Sequence, residues 1–129
     1  MTNNKQPISS KLAPQAVGSY SQAIKSGDML FLSGQIAIDH QTNQLVTGGV
    51  AAQANQIMRN ISAVLMEAGC DFNNLLKVTI YLVDIGDFAK VDAVYSSYLT
   101  PPYPARATVG VASLPKGTLV EIEAIARVF

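Results

Sequence analysis

Two segments of this 129-residue chain alternate with a period of two, and together they dictate most of what it can fold into. In Leu75–Val83, the residues Leu76, Val78, Ile80 and Leu82 fall on one parity, suited to a core, while Leu75, Lys77, Thr79, Tyr81 and Val83 fall on the other. In Leu119–Val128, Val120, Ile122, Ala124 and Ala126 alternate with Leu119, Glu121, Glu123, Ile125 and Arg127. Successive side chains of a strand point to opposite faces, so each segment has one dry face and one that is neither dry nor fully wet. Left uncovered, a half-apolar sheet face is an exposed patch, and burial against copies of the same chain is the simplest remedy.

The cover for the dry face lies in two helical patterns. Val50, Ala54, Ile57, Met58, Ile61, Val64, Leu65 and Ala68 keep the 3,4 spacing of one helix stripe, with Gly69 placed as a C-terminal cap. Asp87 opens a second pattern through Phe88, Val91, Val94, Tyr95 and Tyr98, which Pro101-Pro102 stops. Around these, Tyr20–Ile24 and Met29–Ser33 read as a hairpin about Lys25-Ser26-Gly27-Asp28, and Ile36–Ile38 pairs with Gln44–Val46. Thr108–Ala112 and Leu119–Val128 flank a loop holding Pro115 and Gly117, which predicts a second long hairpin. Right-handed crossovers put both helices on one side of the sheet, so the expected architecture is α+β. It is a mixed β-sheet with two helices packed on one face, in a single domain over residues 1–129.

Composition narrows the partners. The nine Lys and Arg balance nine Asp and Glu, without the basic patch that phosphate binding recruits, so nucleic acid is disfavoured and a small, nearly neutral ligand is favoured. Charged residues are 14% of the chain, below the roughly 25% usual in soluble domains, which again suggests a surface covered by another subunit. No segment reaches the length of a membrane span, Met1–Gln6 lacks the basic and apolar regions of a signal peptide, and Cys70 is the only cysteine; a reducing cytoplasm is the expected location.

Most catalytic templates fail. One His and one Cys cannot build a tetrahedral zinc cluster, His40 falls in a loop without a surrounding motif, and Cys70 beside Gly69 reads as an ordinary thiol. Gly48-Gly49 is an approach to the first helix rather than a phosphate cradle. Arg106 and Glu121 remain. If both point to the helix-free face, the guanidinium can take a carboxylate and a partly desolvated Glu can exchange protons near neutral pH; a structural Arg–Glu ion pair is the alternative.

Several short motifs then carry a resemblance over essentially the whole length: Ala13-Pro14, Gly18-Ser19-Tyr20-Ser21-Gln22-Ala23, Ser33-Gly34-Gln35, Asp87-Phe88, Pro104-Ala105-Arg106, Leu114-Pro115-Lys116 and Glu121-Ile122-Glu123-Ala124-Ile125-Ala126. In this order and spacing they resemble the RidA (YjgF) family of reactive-intermediate deaminases. The resemblance implies a chorismate-mutase-like fold and a homotrimer whose sheets form a central β-barrel, with ligand sites in the clefts between subunits. It implies hydrolysis of 2-imino acids, such as 2-iminobutanoate and 2-iminopropanoate, or of their enamine tautomers, to 2-oxo acids and ammonia without a cofactor. By the same resemblance Arg106 clamps the substrate carboxylate, and Tyr20, Ser33 and Gly34 line the pocket. Backbone groups at Thr108 contact the imine nitrogen or the water, and Glu121 positions that water or relays a proton.

Three positions depart from the family pattern. Ser19 stands for the usual Pro, Thr108 for a frequent Cys, and Asp92 for a frequent Asn. Asp92 is counted with the substrate-binding residues, where its charge would disfavour a carboxylate; a solvent-facing helix residue is the alternative. A non-catalytic metabolite-binding or regulatory trimer, and more remotely a ribonuclease or translation inhibitor, are the competing functions.

Overall fold

A computed structural model describes residues 4–129. Its elements run β1 (Lys5–Ile8), β2 (Ala23–Ser26), β3 (Met29–Gln35), β4 (Ile38–Asp39), β5 (Gln44–Leu45), α1 (Gly49–Glu67), β6 (Leu75–Leu82), α2 (Phe88–Ser97), β7 (Ala105–Gly110) and β8 (Val120–Arg127). Six strands form one sheet in the order β1, β2, β3, β8, β6, β7, while β4 and β5 pair apart from it. Neighbours in the sheet are antiparallel except β6 and β7, which run parallel and are joined through α2.

The helix stripe read from the sequence is buried as expected. Val50, Ala54, Ile57, Met58, Ile61, Val64 and Leu65 of α1 meet Leu30 and Leu32 of β3, Val78, Ile80 and Leu82 of β6, and Val120, Ile122, Ala124 and Ala126 of β8. Val91 and Tyr95 of α2 complete this core. Each fully buried Leu, Ile or Met contributes about 1.5–3 kcal/mol. Gly69 ends α1 with φ +75°, and the N–H of Cys70 reaches back to the Leu65 carbonyl at 2.8 Å.

Polar ties fix the loops that later frame the site. Buried Asn60 donates from Nδ2 to the carbonyls of Ile36 and Ile38, at 3.3 and 3.0 Å, locking the exit of β3 to α1. Buried Gln53 accepts from the Leu119 N–H at 2.8 Å and from the Thr118 hydroxyl at 3.1 Å, locking the entry of β8 to the same helix. Gln22 holds the N-terminal segment: its Nε2 donates to the carbonyls of Ser10 and Pro14, and its Oε1 accepts from the Ser10 N–H at 2.7 Å.

Three expectations are corrected. Thr108–Ala112 and Leu119–Val128 do not form a hairpin, because β6 lies between β7 and β8. The β6 core parity fails at its first member: pairing runs from Leu75 opposite Ala126 to Lys77 opposite Ile125, a two-residue step against one, and this bulge turns Leu75 inward and leaves Leu76 40% exposed. The first hairpin begins at Ala23, so Tyr20 lies before the strand. In addition β1, read from the sequence only as a polar start, pairs with β2 along its length despite Pro7, a residue that an edge strand accommodates.

The helix-free face of the sheet carries Phe31, Tyr81, Val109, Glu121, Glu123 and Ile125. Phe31 is 46% exposed, and the Tyr81 hydroxyl donates to the Glu123 carboxylate. This is the half-apolar, half-polar surface that the alternation predicted.

Candidate functional site

The first corner is made by backbone register. Between β3 and β8 the pairing steps from Leu32 opposite Ala124 to Gln35 opposite Ile122, three residues against two, so Ser33 and Gly34 bow out beside Glu121. The bow leaves no room for a side chain at position 34: a Cβ there would stand 2.2 Å from Glu121 Oε2. Ser33 is fixed twice, its N–H donating to the Gln22 carbonyl at 2.9 Å and its hydroxyl to the Ser21 carbonyl at 2.6 Å. Tyr20 is half-exposed, and its hydroxyl oxygen accepts from the Val17 N–H at 3.4 Å. Tyr20, Ser33, Gly34, Lys116 and Glu121 share the wall of a cleft of about 490 Å³.

The Glu121 carboxyl has no hydrogen-bond partner among the described residues. Burial raises its pKa above the ordinary carboxyl range, and the nearby charge of Glu123 raises it further. A carboxyl in that condition accepts or returns a proton more readily near neutral pH than a solvated one does.

The second corner is made of side chains on an edge strand. Arg106 of β7 pairs with Val78 of β6, which faces the core, so its side chain leaves the sheet on the helix side. There Nη1 donates to Asp92 Oδ1 at 2.6 Å, and the guanidinium carbon lies 4.9 Å from the ring centre of Phe88 and 5.4 Å from that of Tyr95. Phe88, Asp92 and Tyr95 are spaced by four and three residues, so α2 presents them on one stripe toward Arg106. Thr108 emerges on the same side and shares a shallow hollow with Ile85, Phe88 and Arg106. Its hydroxyl and that of Tyr95 are buried without a hydrogen-bond partner among the described residues. Burial raises the Tyr95 pKa, Arg106 works against that shift and Asp92 adds to it.

Of the residues expected at the site, Tyr20, Ser33, Gly34 and Glu121 therefore converge in one cleft and Arg106 and Thr108 in another, with Asp92 paired to Arg106. The condition that Arg106 and Glu121 both point to the helix-free face is not met. β6 separates their strands and they emerge on opposite faces, so the alternative Arg106–Glu121 ion pair is absent too; Arg106 pairs with Asp92 instead. Asp92 is accordingly not a plain solvent-facing residue. Sequence reasoning missed the roles of Phe88 and Tyr95 beneath the guanidinium, although their spacing about Asp92 was legible. It also missed Lys116, which holds a left-handed backbone, φ +57°, at the rim of the Glu121 cleft.

The remaining candidates lie elsewhere. His40 lines a third cleft with Arg59, Phe72 and Tyr98. Cys70 is buried, and that burial pushes its thiol pKa up, toward the unreactive form. Among the described residues no three His, Cys, Asp or Glu side chains are grouped to hold a metal ion, and no helix is long and apolar enough to cross a membrane.

Comparison with known proteins places this geometry. Residues 10–128 match the family model described as Endoribonuclease L-PSP. The chain is 51% identical over 124 residues to Protein DfrA of Myxococcus xanthus, covering 95% of each chain. It is 48% identical over 119 residues to the human 2-iminobutanoate/2-iminopropanoate deaminase, covering 92% of this chain and 87% of that one. The crystal structure of RidA from an Antarctic Psychrobacter species superposes with a TM-score of 0.92 at 46% identity, over 95% of this chain and 99% of the other. With the sheet order, the two helices on one face and the motifs around Gly34, Arg106 and Glu121, these matches show that the chain belongs to the RidA (YjgF) family.

Proposed function

We propose that this protein is a cofactor-independent deaminase that hydrolyses 2-imino acids, 2-iminobutanoate and 2-iminopropanoate among them, to 2-oxo acids and ammonia. One observation carries the reading: the Glu121 carboxyl, its pKa raised by burial, and the Arg106 guanidinium sit on opposite faces of one sheet, each in its own cleft. A homotrimer closed through the helix-free faces completes both. In that assembly the Glu121 cleft of one protomer meets the Arg106 hollow of the next, and the Phe31, Tyr81 and Ile125 surface becomes the lining of a central barrel. Deaminase names among relatives of similar length support the same chemistry.

In this reading each step falls to a named group. Arg106, held flat by Phe88 and Tyr95, keeps donors on the edge away from Asp92 and takes the substrate carboxylate there. Gly34 lets the planar imine lie against backbone, and Tyr20 closes the cleft. The iminium carbon is already electrophilic, so the site needs to orient one water rather than supply a nucleophile of its own. Glu121 takes a proton as water oxygen bonds to C2, giving a tetrahedral aminoalcohol. It returns that proton to nitrogen, and as the C–N bond breaks the electron pair of the O–H bond forms the C=O bond while the hydroxyl proton passes through Glu121 to the departing ammonia, leaving the 2-oxo acid. The reaction balances as iminium plus water to ketone plus ammonium. Nothing in it calls for an export signal or a membrane, which fits a cytoplasmic enzyme. The neutral charge balance disfavours the ribonuclease activity that the family description names.

A coupled assay tests the proposal. A threonine/serine dehydratase generates the two imines and semicarbazide traps what survives. Wild-type protein should lower the trapped fraction, and Arg106→Ala should not. An assembled wild-type trimer that leaves imine lifetime unchanged overturns the deaminase reading in favour of a metabolite-binding protein, which would still bind a 2-oxo acid.

A further inference from the structure

The cation that is to bind substrate is already paired. Arg106 and Asp92 lie 2.6 Å apart, with side chains 31% and 40% exposed, and their charges cancel. A carboxylate arriving at Arg106 therefore meets a cluster of net charge zero, with a second carboxylate close by. Only Nη1 is engaged by Asp92, so the donors of the Nε–Nη2 edge stay open to a ligand. The pairing leaves the clamp its hydrogen bonds and removes most of its long-range attraction for anions. Phe88 and Tyr95 hold the guanidinium in this place, and Tyr95 is only 4% exposed, so Arg106 has little freedom to swing away from Asp92.

The consequence differs for substrate and product. A protonated 2-imino acid carries one positive and one negative charge, next to each other. The 2-oxo acid it becomes carries a negative charge alone. Beside a bare arginine the anion would bind the more tightly of the two. Beside an Arg–Asp pair the zwitterion gains, because its iminium offsets repulsion between its own carboxylate and Asp92, while the anion has nothing to set against that repulsion.

We infer that Asp92 is a specificity-determining residue which biases the Arg106 clamp toward zwitterionic 2-iminium carboxylates and against their anionic 2-oxo acid products, limiting product inhibition. The inference rests on the deaminase reading for its substrate, but its central claim concerns carboxylate binding at Arg106 and is measurable without turnover.

The test measures 2-oxobutanoate binding by calorimetry, together with its inhibition of 2-iminobutanoate hydrolysis, in wild type, Asp92→Asn and Asp92→Ser. Asn keeps the shape and a hydrogen-bond acceptor, whereas Ser shortens the side chain. Loss of the charge should tighten 2-oxobutanoate by roughly three- to ten-fold in both variants, with a smaller change in KM for the imine, so that the ratio of KM to the inhibition constant rises. Added salt should shrink the difference. A merely structural role would weaken oxo acid and imine alike, and Asn would then rescue what Ser loses. Unchanged or weaker 2-oxobutanoate binding in Asp92→Asn overturns the inference, as does an absence of binding by all three proteins. If the variants tighten the oxo acid while no protein hydrolyses the imine, the deaminase reading falls and the charge assignment stands.

Discussion

The two half-sites are built by different means. Glu121 sits on β8, a central strand paired on both sides, and its place is set by a bulge in β3 and by the missing side chain of Gly34. Arg106 sits on β7 at the sheet edge, and its place is set by an ion pair and two aromatic rings on a helix. Backbone register is stiff, since moving Glu121 would require repairing a ladder on both sides. Side-chain pairing is soft, since one charge change on α2 retunes the cation without disturbing the sheet. On the proposed mechanism, the proton-handling group is therefore fixed where accuracy matters, and the anion-binding group is left adjustable where selectivity is set.

The largest expected effect comes from removing the soft corner altogether. Arg106→Ala should lower kcat/KM for 2-iminobutanoate by about three orders of magnitude, because a substrate without its clamp loses both charge and orientation. Size-exclusion with light scattering should show an unchanged assembly, as the residue is not in the core. Retention of near-normal kcat/KM would remove Arg106 from the site and with it one half of the contrast.

Gly34→Ala probes the stiff corner. The new methyl collides with the end of the Glu121 side chain rather than with backbone, so the protein should fold while its carboxyl is pushed aside. A fall of about 10- to 100-fold in kcat with a smaller change in KM is expected. If kcat is untouched, Glu121 does not handle the proton.

Mixing the two lesions asks whether the corners meet between subunits. Arg106→Ala and Glu121→Gln proteins, unfolded together and refolded at equal ratio, should recover about a quarter of wild-type activity if the proposed trimer forms, since one interface in four then joins two intact halves. No recovery would place both halves in one protomer, contrary to their opposite faces in the sheet.

The smallest effect is thermodynamic. The folded-state pKa of Glu121 is raised, so its ionisation costs stability: the cost is absent below the ordinary carboxyl range, grows as pH rises toward the elevated pKa, and is constant above it. Glu121→Gln should therefore have a higher Tm than wild type at neutral pH, and the two should converge in acid. A variant less stable than wild type at neutral pH would mean that the carboxylate has a favourable partner, most simply across the subunit interface.

Periodicity was a reliable guide wherever a face was uniformly buried. The α1 stripe and the Val120–Ala126 parity are in the core because a 3.6- or 2-residue period leaves no other way to bury those side chains. Where the chain departs from period, the reading failed: the bulge at Leu76 reversed the expected parity of Leu75, and nothing in a run of leucines marks where a ladder slips. Arg106 and Glu121 stood out as ionic residues on strands, and Tyr20, Ser33, Gly34, Thr108 and Asp92 entered through the family resemblance, but their grouping was not legible.

What the sequence determined by itself was local and additive: two amphipathic helices, strands with one dry face, a charge balance unsuited to nucleic acid, and the residue types available for chemistry. What only the tertiary structure decided was adjacency. Strand order is not written in any one strand, and the insertion of β6 between β7 and β8 is what carries Arg106 away from Glu121 and onto the face where Asp92, Phe88 and Tyr95 await it. Each strand's pattern says which side chains must be dry, whereas which strand lies next to which follows from the lowest free energy of the whole sheet packed on its helices, a property no single segment contains.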